Sequence, residues 1–589
     1  MQDSITYYQE QLKIYQEEVS KLYKQLTFLS TARLFVFLST AVGVYFTFNN
    51  WQIAVIVALL GAILFIYLLS KHSNLKATYN FKKALVEINK EELKIGSGDF
   101  FHRNEGLEFQ DPLHNYALDI DLFGRGSFFQ FIDRTATKTG ALALSNALKA
   151  NNTLNIEERQ EAIKELSLKP KWRQKFQATA NLINVETKPD QITSWLHNHK
   201  SFLPKSIKYL PLVFIGISAI LLVLGITKII SIEFFGYWLL IGLAITGKYL
   251  KKINDLAANT DKIRDTFRQY AQLLNAIENA TFSSTLLIKK QQRIQLEGKT
   301  ASAILTHLSK AMDALDNRNN LISAIFGNGY FLTDIKNSYK IEKWIEIYKD
   351  KVEDWFQVVT FFDAYNSLGN YAFNHKHYIY PQILEDGKQT NVTDLGHPLL
   401  KTEKRVDNNF NIKTEQFFII TGANMAGKST FLRTVSLHIV MANVGLPVCA
   451  KSSDYVPVKL ITSMRTSDSL TDDSSYFFSE LTRLKYIVDA IKTDNYFIIL
   501  DEILKGTNST DKAIGSRKFV EKLVASNATG IIATHDLSLC EIEKELEEVK
   551  NYYFDAQIIN DELYFDYTFK KGICKNMNAS FLLKKMEIV

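Results

Sequence analysis

Residues 415–430 read EQFFIITGANMAGKST. An apolar run, Phe417–Thr421, leads straight into Gly422-x4-Gly427-Lys428-Ser429. The text that follows, FLRTVSLHIVMA, places apolar residues at three- and four-residue intervals. Strand, glycine-containing loop and helix in this order are the setting in which the pattern binds phosphate. Gly422 and Gly427 permit the tight turn, and the loop residues between them, Ala423, Asn424, Met425 and Ala426, then offer backbone N–H groups to the anion. Lys428 reaches the β- and γ-phosphates and Ser429 holds Mg²⁺. The helix N-terminus adds a partial positive charge.

Two later segments complete the set. YFIILDE at 496–502 is a continuous apolar run, as in a buried parallel strand, and it ends in two carboxylates. Asp501 suits a role in holding Mg²⁺ through water, and Glu502 suits the base that orients the attacking water. GIIATHD at 530–536 is a second apolar strand with a polar end, where His535 can sense the γ-phosphate. Together these residues predict Mg²⁺-dependent hydrolysis of a nucleoside triphosphate by an α/β P-loop domain.

Upstream the chain changes character. It has 589 residues, 46% hydrophobic and 22% charged, with a net charge of +6, which excludes wholesale disorder. Cys449, Cys540 and Cys574 are too few for a disulfide scaffold and too scattered for a zinc site, so they read as reduced thiols. No Asp, Glu, Lys or Arg occurs from Leu34 to Ser70. That stretch is too long for one span of about 20 residues and fits two, with a turn at Asn49-Asn50. A second apolar region runs from Tyr209 to Thr227 and, after Lys228 and Glu233, from Phe234 to Gly247. The expectation is two transmembrane hairpins, four spans in all. Lysines flank both hairpins, with Arg33 before the first, and positive charge is scarce in the turns, so the positive-inside rule puts the termini and the soluble mass in the cytoplasm, on an inner membrane.

The remaining text is mostly helical. Residues 1–30 read as an amphipathic helix, 31–71 as the first hairpin, 72–114 as a helical linker and 115–207 as the first part of a core domain. Residues 208–248 form the second hairpin, 249–385 an all-α lever, and 386–589 the ATPase domain. The expected fold is therefore a C-terminal α/β P-loop ATPase of the ABC type behind an all-α core and two membrane hairpins.

Several motifs resemble the MutS family. TGANMAGKST is similar to that family's phosphate loop, LDEILKGTNSTD at 500–511 to its Walker B segment and following loop, and ATHD to its histidine switch. LGHPLL at 395–400 resembles the start of its ATPase domain, SYFFSEL at 475–481 its signature segment, and LFGRGSFFQFIDRTATKTGALAL at 122–144 the opening of its core. The resemblance implies that Asn424, Lys428, Ser429 and Thr430 touch ATP and Mg²⁺. It implies that Ser475 reaches the γ-phosphate of a partner and that Asn508–Asp511 lie in a loop contacting the other subunit. A homodimer with composite sites follows from it, with DNA as ligand. Departures are also visible. No mismatch-reading or connector domain and no suitably placed Phe-x-Glu wedge are found, and Leu504-Lys505-Gly506 stands where the family has Gly-Arg-Gly. Three functions compete: a membrane-anchored DNA clamp, a membrane-tethered scaffolding ATPase with a protein partner, and an ABC-type transporter. The last is disfavoured, because the 72 residues between Lys428 and Asp501 leave little room for a coupling subdomain.

Overall fold

The computed structural model describes residues 2–183, 187, 189–296, 298–385, 388–465, 476–559 and 562–575. Helices α1 (Gln2–Thr47) and α2 (Trp51–Gly96) have 46 residues each, about 69 Å at 1.5 Å per residue. They run antiparallel, as the pairs Glu18–Lys82, Tyr23–Tyr79, Ser30–His72 and Phe37–Phe65 require. The turn falls where expected, and the Asn50 side chain caps α2 by accepting from the Ile53 N–H.

The amphipathic segment 1–30 is not a separate element. No Gly or Pro precedes Gly43, so nothing stops α1 before it enters the apolar stretch. Within the linker 72–114 the helix ends at Gly96, in the GSGDF segment at 96–100 where the sequence places its end; Gly98 takes a left-handed φ of 94° and turns follow. Each long helix is thus two things in series. Around the turn, Phe35, Phe46, Trp51 and Ile63 face outward. Toward the other end, Tyr15, Leu85, Val86 and Ile88 are buried together with Ala178.

The second apolar region is α3 (Leu210–Ile226) followed by α4 (Glu233–Glu278). Among the described residues three helices are long and apolar enough to cross a membrane: Asp3–Thr47, Trp51–Gly96 and Lys205–Ile226. The fourth expected span, Phe234–Gly247, is the first stretch of the much longer α4. Its fourteen residues would cover about 21 Å of a hydrocarbon layer about 30 Å thick, so it falls short by itself.

The helical body is built from α4, α5 (Ala301–Asp316), the short apolar α6 (Leu321–Phe331) and α7 (Thr333–Asn374). Its core contains Phe267, Tyr270, Trp344, Trp355, Phe356 and Phe362. The 42-residue α7 is the spine of the molecule. Its last turns meet the base of the α1–α2 hairpin in a buried polar network. Glu92 pairs with Arg134 at 2.6 Å and accepts from the amides of Asn370 and Asn374 at 3.0 and 3.1 Å. Tyr8 and Arg173 donate to the same two asparagines.

The C-terminal region is α/β. Strands β1 (Phe417–Gly422), β2 (Lys459–Ser463), β3 (Tyr496–Asp501), β4 (Thr529–Ala533), β5 (Val549–Phe554) and β6 (Lys570–Lys571) form one sheet in the order β6-β5-β1-β4-β3-β2. All pairs are parallel except β5–β6. A four-stranded sheet of residues 382–455 lies alongside in the chain. One hydrophobic core joins Phe128, Phe129 and Leu144 to Phe418, Phe431 and Leu432, so the segment after Tyr116 packs onto the α/β region.

Candidate functional site

The sheet brings three chain segments together. Ile420 of β1 pairs with Ala533 of β4, and Ala533 pairs with Asp501 of β3. Adjacent strands are about 4.8 Å apart. The glycine loop, Thr534-His535 and Asp501-Glu502 therefore leave the sheet side by side at its carboxyl edge. Open parallel sheets bind ligands at this edge, where the chain connections diverge.

The loop needs its glycines. Gly427 has φ 104°, and a Cβ there would stand 3.0 Å from Tyr567. At Gly422 a Cβ would meet the Phe554 carbonyl oxygen at 2.7 Å. Ala423 and Ala426 are buried, while Asn424 and Met425 are exposed. Helix α8 (Lys428–Val444) begins at once. The Lys428 side chain is buried and donates to the carbonyls of Gly422 and Ala423 at 2.8 and 3.0 Å. Burial lowers its pKa, and the charges of Asp501 and Glu502 oppose that shift. Ser429 and Thr430 are exposed on the first turn. Ser429 Oγ donates to Asp501 Oδ2 at 2.8 Å. Burial raises the Asp501 pKa against that hydrogen bond.

Glu502 sits in a left-handed conformation with φ 49°, a strained position for a non-glycine residue. His535 Nε2 lies 3.0 Å from its Oε1 and 3.3 Å from Lys428 Nζ. One nitrogen cannot donate to the carboxylate and accept from the ammonium together. The shorter contact assigns the Nε2 proton to Glu502. This hydrogen bond holds the Glu502 carboxyl at a pKa of about 2. A cavity of about 570 Å³ opens beside these groups, lined also by His397, Arg405, Asn408, Phe554 and Tyr567. Among the described residues no three of His, Cys, Asp and Glu form a metal-binding group. Ser429 with Asp501 is instead the sparse oxygen donor set that suits Mg²⁺ carried in by phosphates.

Of the expected residues, the structure gathers Gly422, Ala423, Asn424, Met425, Ala426, Gly427, Lys428, Ser429, Thr430, Asp501, Glu502 and His535 at one place. Ser475 lies outside the described residues. Asn508 and Asp511 form a helix cap: Asn508 accepts from the Asp511 N–H at 2.9 Å at the start of α10 (Ser509–Ala525) and donates to its carboxylate at 2.7 Å.

Other supports were not foreseen. Glu480, buried on α9 (Tyr476–Ala490), accepts from the backbone N–H groups of Leu504 and Lys505 and so pins the turn after Glu502. Asp119 accepts from Thr462 Oγ1 and from the backbone of Met464 and Arg465. Arg483 of α9 donates to the carbonyls of Asn115 and Thr462. The core segment is thereby tied to both β2 and α9. Hydrogen bonds to a charged acceptor contribute about 1.5–3 kcal/mol. Glu480→Ala is therefore expected to speed hydrogen exchange at the Leu504 and Lys505 amides by one to two orders of magnitude; unchanged exchange would remove Glu480 from this role.

Comparison with known proteins bears on this region. Residues 418–585 match the family model of MutS domain V. MutS protein homolog 4 of Homo sapiens is 33% identical over 204 residues, covering 33% of this chain and 21% of that protein. DNA mismatch repair protein MutS of Persephonella marina is 32% identical over 241 residues, 40% of this chain and 27% of that protein. The protein of the same name from Clostridium tetani is 32% identical over 241 residues, 39% and 26%. The chain thus spans about a quarter of the length of these relatives.

Proposed function

We propose, because this chain is a member of the MutS family through its domain V, that it is a membrane-anchored, Mg²⁺-dependent ATPase working as a homodimer on DNA. The convergence of Lys428, Ser429–Asp501 and Glu502–His535 at one sheet edge carries the reading. In it, Lys428 and the loop amides take the phosphates, and Ser429 with Asp501 would hold Mg²⁺, which screens phosphate charge. Glu502 orients the attacking water, and His535 positions Glu502 and senses the γ-phosphate end of the pocket. His397, Phe554 and Tyr567 line the remainder, where the nucleoside would lie.

The apolar faces of α1, α2 and α3 support anchoring in an inner membrane, with the ATPase domain in the cytoplasm. The dimer and the DNA ligand rest on the family alone. Lys428→Ala is expected to abolish ATP turnover, measured as phosphate release by the full-length protein in nanodiscs. Retained turnover would sink the site assignment. Binding to fluorescent homoduplex, mismatched and branched DNA across a salt series then tests the ligand. Affinity that falls with salt and shifts with ATP supports the clamp. An intact ATPase with no DNA affinity would move the reading to a membrane-tethered scaffold for a protein partner.

A further inference from the structure

The helical body has an apolar element that neither hairpin includes. Helix α6 reads LISAIFGNGYF, and no Asp, Glu, Lys or Arg lies between Arg318 and Asp334. It packs on both arms of the second apolar region. Tyr330 stacks on Phe235 with ring centroids 4.1 Å apart. Its carbonyl accepts from Ser218 Oγ of α3 at 2.9 Å, and Trp238 of α4 donates to that same hydroxyl. The backbones come close. A Cβ on Gly242 would stand 2.3 Å from the Gly329 carbonyl oxygen, and one on Gly329 would stand 2.6 Å from Leu239. Only glycine fits such a crossing.

The other face of α6 is bare. Leu321 is 74% exposed, Ile322 69% and Phe326 51%. Leu212 and Val213 of α3 and Phe234 of α4, on the two helices that α6 packs against, also face outward. The asparagine side chains at the two ends of α6 are satisfied. Asn320 Oδ1 accepts from the N–H groups of Ile322 and Ser323. Asn328 Oδ1 accepts from the Asp334 N–H and Thr333 Oγ1. The nearest charges on either side, Arg318 and Asp334, pair with each other at 3.3 Å. A segment that must leave water has to satisfy its polar groups internally and neutralise its charge.

We propose that α6 is seated in the acyl region of the lipid bilayer, as a non-spanning third wall of the second apolar unit. Its eleven residues cover about 16 Å, roughly half the hydrocarbon thickness. It therefore enters the lipid without crossing, and it completes the unit whose α4 arm is too short alone. Lipid is the occupant because α6 packs directly on α3 through Tyr330 and Ser218, and α3 with the turn that leads into it from Lys205 is long and apolar enough for a span. The inference rests on the membrane-anchored reading above.

The test uses the full-length protein in phosphatidylethanolamine–phosphatidylglycerol vesicles. A nitrobenzoxadiazole probe is placed by Ile322→Cys, Leu59→Cys on α2 or Glu353→Cys on the exposed side of α7; the native cysteines are buried. Doxyl-labelled lipid and aqueous iodide are the quenchers. The expected result is that Ile322 and Leu59 are quenched several-fold more by lipid, and less by iodide, than Glu353. A lipid-quenched Leu59 with an iodide-quenched Ile322 overturns this inference and leaves anchoring intact. A Leu59 open to iodide overturns the anchoring reading and this inference with it. Unchanged ATP turnover certifies each labelled protein as folded, and Phe326→Cys replaces Ile322→Cys if that variant loses turnover.

Discussion

Glu502→Gln is expected to slow ATP turnover by about 10²–10⁴-fold, the usual contribution of a positioned general base, while ATP binding persists. The substitution keeps the side chain's shape and its place beside His535 but removes the charge that orients water. Lys428, Ser429 and Asp501 keep their contacts, so nucleotide still binds. ATP then occupies the pocket without turning over, and the proposed dimer is expected to accumulate. Single-turnover phosphate release separates chemistry from binding, and size-exclusion chromatography with ATP reads the dimer. Normal release would remove Glu502 from the role of base. The pH response follows from the same contact. His535 depresses the Glu502 pKa to about 2. The stabilisation from that contact is therefore complete above the ordinary carboxyl pKa of about 4.3 and is lost only as pH falls toward 2. No loss from protonation of Glu502 is expected near neutrality.

The second large effect lies at the base of the first hairpin. Arg134→Met is expected to loosen the docking of α1 and α2 by about 3–5 kcal/mol, the cost of leaving a buried charge without its partner. Burial alone would raise the Glu92 pKa. The charge and hydrogen bonds of Arg134, with the amides of Asn374 and Asn370, outweigh it and hold the group below its ordinary value. This network therefore contributes above the ordinary carboxyl pKa and weakens as pH falls below it. Hydrogen exchange along Leu85–Ile95 measures the loosening. Glu92→Met together with Arg134→Met should restore most of the protection, since two apolar groups of similar volume leave no orphan charge. Unchanged exchange in the single variant would show that apolar packing around Tyr15 and Leu85 suffices.

The site was legible where chemistry is written locally. The glycine loop, the strand ending in Asp501-Glu502 and the Thr534-His535 end each lie within a few consecutive residues, and a parallel sheet had to align their ends. Glu480 was not legible, because its partners are backbone N–H groups 24 and 25 residues away and any carboxylate would read the same. Asp119 was hidden for a stronger version of that reason, with its Thr462 partner 343 residues distant. The apolar segments were visible from charge exclusion, but not the continuity of α1 and α2, since composition shifts there without a helix breaker. Helix α6 escaped notice because a largely apolar stretch of eleven residues is too short to register as a span.

The wiring of Glu92 has a consequence for the order of assembly. The hairpin that carries it lies at the start of the chain, whereas Asn370 is 278 residues later. At the usual synthesis rate of about 5–20 residues per second, that interval lasts roughly 14–56 s. Through that time Arg134 is already made, while the asparagine side of the surface that receives Glu92 does not yet exist. The carboxylate cannot reach its full burial until α7 arrives. Docking of the hairpin is therefore a late, long-range closure, the slow kind of contact to form. A variant that weakens this network should first reveal itself in newly made protein, as a chain whose C-terminal α/β region has folded and whose hairpin base has not closed.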